Sequence, residues 1–212
     1  MSPEVREESV LFIRRAVDIG VFRAVDVWHE TEEECDPAIV VACGDMHQAH
    51  DRLTHCWGKL SERSQLIMAN GGGLLLDSCC PVNEAMNFVP YVVAQIKGAI
   101  EAKEAKLNRR IKRIVLYFDY VCGMADKHNL MASQVCQSAV YAKRFLKEVF
   151  PDREVVLLFY LDHPADVLGS DHPLVLDHPD ATAFTFNFSS DTMEDLVRQF
   201  KAERNRETQV VH

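Results

Sequence analysis

Three short runs rich in β-branched residues, none of them alternating with polar positions, limit this chain to few folds. They are Ala38-Ile39-Val40-Val41-Ala42-Cys43, Ile114-Val115-Leu116-Tyr117-Phe118 and Val155-Val156-Leu157-Leu158-Phe159-Tyr160-Leu161. A strand with one wet face alternates apolar and polar side chains, whereas an unbroken apolar strand suits a parallel sheet covered on both faces. Helical patterns lie between these runs. Met46–Trp57, Asn83–Leu107 and Leu130–Val149 read as helices, with Asn83 as an N-cap and Pro90 as a kink or break in the longest one. Gln65–Ala69 reads as a further strand, ending at Asn70-Gly71-Gly72-Gly73. This alternation predicts one α/β domain over residues 1–212, its mainly parallel central sheet flanked by helices.

The ends of the chain are less regular. Pro3–Val17 spaces its apolar residues for an amphipathic helix started by Ser2 and Pro3, so residues 1–36 read as a helical arm with an acidic, irregular continuation. Asp162–Asp180 carries His163-Pro164, His172-Pro173 and His178-Pro179, and is expected to be an extended loop. Thr182–Phe188 alternates Phe184, Phe186 and Phe188, as a half-buried strand does. Ser190-Asp191 caps a last helix expected to end at Phe200, leaving 201–212 as a frayed polar tail.

Charge and cysteine usage narrow the function. A formal charge of -9 argues against a partner with a phosphate backbone, since such proteins carry a basic face. The one basic run, Arg109-Arg110-Ile111-Lys112-Arg113, reads as a solvated link from helix to strand. No run of about 18 apolar residues suggests a membrane span. Met1-Ser2-Pro3-Glu4 opens on early acids, so a secretory leader is not expected. Seven cysteines at scattered spacing do not describe a disulfide framework, and a reducing cytoplasm is the expected compartment.

Ligands of an open parallel sheet collect beyond the carboxyl ends of its strands. There the chain places Cys43-Gly44-Asp45-Met46-His47 after one run and Asp119-Tyr120-Val121-Cys122-Gly123 after another. Two thiolates with one or two further donors fill a tetrahedral zinc shell, and Asp45, Asp119 and His47 are the nearest candidates. The same cysteines also suit plain core packing, because free cysteine behaves as a small hydrophobe. Asn70-Gly71-Gly72-Gly73 lets backbone amides approach an anion or a neighbouring chain, and equally serves as a tight turn. His128 reads as an exposed residue at a helix entry, Cys79-Cys80 as packing or a redox-sensitive surface, and His50 and Asp51 as a solvated helix face. A cysteine nucleophile at Cys43 activated by His47 is a further option.

Val40-Val41-Ala42-Cys43-Gly44-Asp45, then Asn70-Gly71-Gly72, then Cys122-Gly123-Met124 together resemble the beta-class carbonic anhydrases. That family's pattern is Cys-x-Asp-Ser-Arg, an Asn-Ala-Gly turn, and His-x-x-Cys-Gly. The likeness covers about Pro37 to Leu161. It implies a dimerising fold, a zinc ion held by Cys43 and Cys122, and hydration of carbon dioxide to bicarbonate through a zinc-bound hydroxide. It implies Asp45 as the acidic residue beside the metal, and Asn70, Gly71 and Gly72 as the turn bordering the substrate. Two positions depart from the pattern: His47 stands where the arginine belongs, and Asp119 where the histidine ligand belongs. The gap between the motifs also looks longer than the family's, with Asn83–Leu107 as the site of expansion. Without the arginine, Asp45 is released to become a fourth ligand, and a closed shell is a structural one. The resemblance therefore implies either a zinc lyase using Asp45 and His47, or a dimeric binding or scaffold protein with a structural metal or none.

Overall fold

The computed structural model describes residues 1–25, 37–44, 64–83, 87–120 and 122–210. Within them six strands form one sheet: β1 (Arg23–Ala24), β2 (Ala38–Cys43), β3 (Gln65–Ala69), β4 (Arg113–Tyr120), β5 (Glu154–Asp162) and β6 (Ala183–Asn187). Their order across the sheet is β1-β6-β5-β4-β2-β3. β3, β2, β4 and β5 are mutually parallel, while β6 and β1 close one side antiparallel. The expected α/β class with a mainly parallel sheet is the observed one.

Seven α-helices accompany the sheet among the described residues: α1 (Pro3–Asp18), α2 (Val89–Leu107), α3 (Gly123–Lys127), α4 (Ala132–Val149), α5 (Pro164–Leu168), α6 (Pro173–Asp177) and α7 (Ser190–Val210). Two short 3-10 segments, Gly72–Leu76 and Pro81–Asn83, follow β3. Among the described residues no helix is long and apolar enough to cross a membrane.

α1 begins where Ser2 accepts the Val5 amide at 3.3 Å, with Pro3 in the first turn where its missing donor costs nothing. Its buried residues Ser9, Phe12, Ile13, Ala16 and Val17 recur at three- and four-residue spacing, which makes one stripe on the helix. The stripe packs on α4, and Phe12 meets Phe200 of α7 edge to face at 5.3 Å. α4 in turn covers β4, β5 and the first 3-10 segment, while α2 lies against β2 and β3. Under α1 the aromatic residues converge, Phe22 stacking on Phe159 at 4.7 Å and on Phe186 at 5.4 Å. Burying each such side chain removes enough apolar surface to contribute about 1.5–3 kcal/mol.

Several expectations are corrected. Asn83 does not cap a helix running to Leu107; it ends a 3-10 segment, and α2 begins at Val89. Its side chain is drawn into the preceding turn, where Nδ2 donates to the carbonyls of Leu74, Leu75 and Asp77. Pro90 lies in the first turn of α2 and kinks nothing. Asp162–Asp180 is not extended throughout, because proline at His163-Pro164 and His172-Pro173 opens α5 and α6. The tail does not fray at residue 201: α7 continues to Val210 and is the longest helix described, at 21 residues. Arg204 bonds Glu8 at 2.7 Å, Lys201 bonds Gln137 at 2.8 Å, and Glu203 pairs with Arg15, so the polar tail is docked. In the arm, Arg23–Ala24 joins the sheet as β1. The helix expected over Met46–Trp57 lies outside the described residues.

What positions a site is the path of the chain through the parallel strands. From β2 it moves outward to β3, then returns to pair β4 on the other side of β2. β2 and β4 are therefore the strands at which the order reverses, the place where open α/β sheets bind their ligands, beyond the carboxyl ends of the strands. Their register runs from Ala38 opposite Arg113 to Val41 opposite Leu116.

Candidate metal centre

Cys43 is the last residue of β2, Asp119 the penultimate residue of β4, and Cys122 the residue that leads into α3. The strand reversal brings the three together. One donor atom from each lies within 4.8 Å of the other two, and the two sulfurs are 3.4 Å apart. All three residues are buried, with 1%, 8% and 2% of their surfaces exposed. Among the described residues this is the one group of three metal-binding side chains that converges.

The donor set fits a thiophilic divalent ion. Tetrahedral zinc, with Zn–S near 2.3 Å, sets two sulfurs roughly 3.8 Å apart, close to the separation found. Electrostatics agrees. The Cys122 thiol is pushed well above its ordinary range, first by its hydrogen bond with Cys43, then by burial, then by the charges of Asp119 and Cys43. Two thiols and a carboxylate held this close in a dry site cannot all ionise unless a cation joins them. A buried Cys43, Asp119 and Cys122 group could thus hold a metal ion.

The glycine turn packs directly on this group. The Gly71 amide donates to the Cys43 sulfur at 3.3 Å. A Cβ on Gly72 would come within 2.6 Å of the Cys43 nitrogen, and Gly72 has φ +49°, so no other residue lets the turn approach this closely. Asn70 stays at the surface, its Oδ1 over Gly44.

Asp45 and His47 lie outside the described residues, as do His50 and Asp51. His128 ends α3 rather than entering a helix, half-buried and outside the cluster. Cys79 is exposed and Cys80 buried beside Ser138, neither joining the site. The His-Pro histidines are structural. His163 pairs with Asp162 at 3.5 Å, His172 pairs with Asp18 at 3.3 Å and accepts the Leu174 amide, and His178 meets the edge of Phe184.

No family model, curated protein or solved structure matches the chain. Fold and site therefore rest on the chain's own residues and geometry.

Proposed function

We propose that Cys43, Asp119 and Cys122 hold zinc and that the protein is a lyase of the carbonic anhydrase type, hydrating carbon dioxide to bicarbonate. The observation that carries the reading is the convergence of three buried metal-binding side chains at the strand reversal. Zinc in such a shell supplies Lewis acidity, through which a site obtains a water-derived nucleophile near neutral pH. The residues do the remainder. The burial of Cys43, Asp119 and Cys122 would keep bulk water from a small apolar substrate. Asp45 orients the attacking oxygen by accepting its hydrogen bond. Hydration releases one proton per turnover, and His47 accepts it with an imidazole that titrates near neutrality. The resemblance to the beta-class enzymes also supports a homodimer and a reducing, cytoplasmic setting for the five described cysteines, none of which is in a disulfide.

Charge favours a second reading. Two thiolates and a carboxylate leave a divalent ion with a net negative shell, which weakens its pull on water relative to a shell containing neutral histidine. Asp45 as fourth ligand would close that shell and make the metal structural, within a dimeric scaffold or binding protein. Stopped-flow carbon dioxide hydration separates the two. Protein carrying one zinc per chain should exceed the buffer rate, and a rate at background with zinc verified overturns the enzyme.

A further inference from the structure

We infer that the cavity left where β6 parts from β5 binds a small, doubly charged oxyanion, at the end of the sheet away from the metal centre. This does not rest on the reading of Cys43, Asp119 and Cys122.

The cavity measures about 280 Å³ and lies among β1, β5, α4 and the segment that joins β6 to α7. It exists because the strands on either side of β5 stop at different places. β4 pairs with β5 from Glu154, whereas β6 pairs with it only from Leu158 onward. After Asn187 the chain makes one more contact with β5, the Phe188 amide donating to the Leu157 carbonyl at 3.4 Å, and then turns into α7. Residues 154–157 of β5 are thus left with an open edge. Main-chain groups alternate from side to side along a strand, and Leu157 faces the departing chain, so the Leu157 and Val155 amides point into the gap. An open strand edge of this kind offers donors in want of an acceptor.

Charge decides what fills the gap. Arg23 of β1 and Lys143 of α4 both line it. Neither makes a hydrogen bond or an ion pair among the described residues. Lys143 is half-buried, and burial, followed by the neighbouring charge of Lys147, weakens its hold on the proton, as for a cation buried without a counter-charge. Two acids stand near it, Asp191 of α7 and Glu154 of β5, and neither closes to ion-pair distance. Glu154 pairs with Arg113 instead, at 2.9 Å. Arg23, Arg113, Lys143 and Lys147 therefore outnumber the two acids around the cavity, in a chain whose formal charge is -9.

The remaining wall sets the class of ligand. Asn187, opposite Arg23 in the β1–β6 pairing, adds an exposed side-chain amide, while Val21 and Phe188 are apolar. An arginine fork and an ammonium group, backed by main-chain amides, suit a dianion better than a single charge. The volume falls below the range of about 300–1,000 Å³ that holds drug-sized ligands, so the carbon body is a few atoms long. Phosphate monoesters and short dicarboxylates share this chemistry.

Residue-resolved NMR titration of the isotopically labelled full chain tests the site. The probes are glycerol phosphate, succinate and, at matched ionic strength, sodium chloride. The expected result is saturable shifts at Arg23, Val155, Leu157 and Asn187 with at least one of the two dianions and with no response to chloride. Saturation by glycerol phosphate alone assigns a phosphate ligand, and saturation by succinate alone a dicarboxylate. Shifts that never saturate, or that chloride reproduces, overturn the site. Saturable shifts at Gly71 and Cys122 instead put the dianion at the metal centre and overturn it equally. Arg23→Gln and Lys143→Met should each weaken binding about 10- to 100-fold, the loss that accompanies one charge-assisted hydrogen bond. Arg23 is exposed, so its replacement spares the core. Wild-type affinity in both variants overturns the cavity as the place of binding.

Discussion

The sulfurs of Cys43 and Cys122 stand 3.4 Å apart although 79 positions separate them in the chain. Neither residue finds the other through local structure. The separation is closed by the pairing of β2 with β4, and the Gly71 amide holds the Cys43 sulfur from the glycine turn.

Replacing either cysteine with serine should abolish stoichiometric metal. Because the ligands act together, Cys43→Ser, Cys122→Ser and the double variant should be about equally deficient rather than additive. Elemental analysis after reconstitution with zinc reads the outcome. A single variant that retains one equivalent removes that cysteine from the shell.

Asp119→Asn keeps the size of the side chain and removes its charge. Zinc affinity should drop by at least about 100-fold, beyond the range set by residues outside the shell. Competition with a chromophoric chelator measures it. Unchanged affinity would mean that the carboxylate lies beside the metal without binding it.

Asn83→Ala should destabilise the fold by about 2–4 kcal/mol without touching a ligand. The lost amide takes a donor from the carbonyls of Leu74, Leu75 and Asp77, of which Leu74 and Asp77 keep a main-chain donor, and the Phe88 amide loses its acceptor. Urea unfolding of the metal-free protein gives the number, and a loss under about 0.5 kcal/mol would contradict the network.

Burial pushes the Cys136 thiol up, so it stays protonated in the folded chain at a pH where the unfolded chain has ionised. Below the ordinary thiol range both states hold the proton and stability is unaffected. As pH rises past about 8.5 the unfolded state releases it first, and folded stability falls. Chelator-treated Cys136→Ala should lose about 1.4 kcal/mol less per pH unit than wild type above that point. Denaturant melts from pH 8 to about 10.5 check the slope, and parallel curves would contradict the assignment.

The strands were the legible part of the fold. β2 and β3 occupy the residues expected of them, because unbroken apolar runs and a glycine-marked end depend little on distant contacts. Prolines were harder to read. Pro90, Pro164 and Pro173 all lie in first helical turns, where a missing N–H is harmless, and residue type alone does not separate a start from a break. The length of α7 depended on Glu8, Arg15 and Gln137, partners far off in sequence that dock its polar end. At the site the thiols announced themselves, whereas Asp119 was picked out by its place in a pattern. The Gly71 amide was legible only as part of a glycine turn whose main-chain donors could approach an anion or a neighbouring chain.

The reversal of strand order between β2 and β4 also bears on when the molecule can recognise a metal. The first motif supplies Cys43 alone and the second only Asp119 and Cys122, so a chain whose sheet has not closed offers at most two of the three donors. An ion bound there is therefore a ligand of the assembled sheet alone, and its whole binding energy is added to folding. Such a protein would be kinetically locked by its metal: slow to open while loaded, and quick to come apart along β2 and β4 once a chelator has taken the ion away.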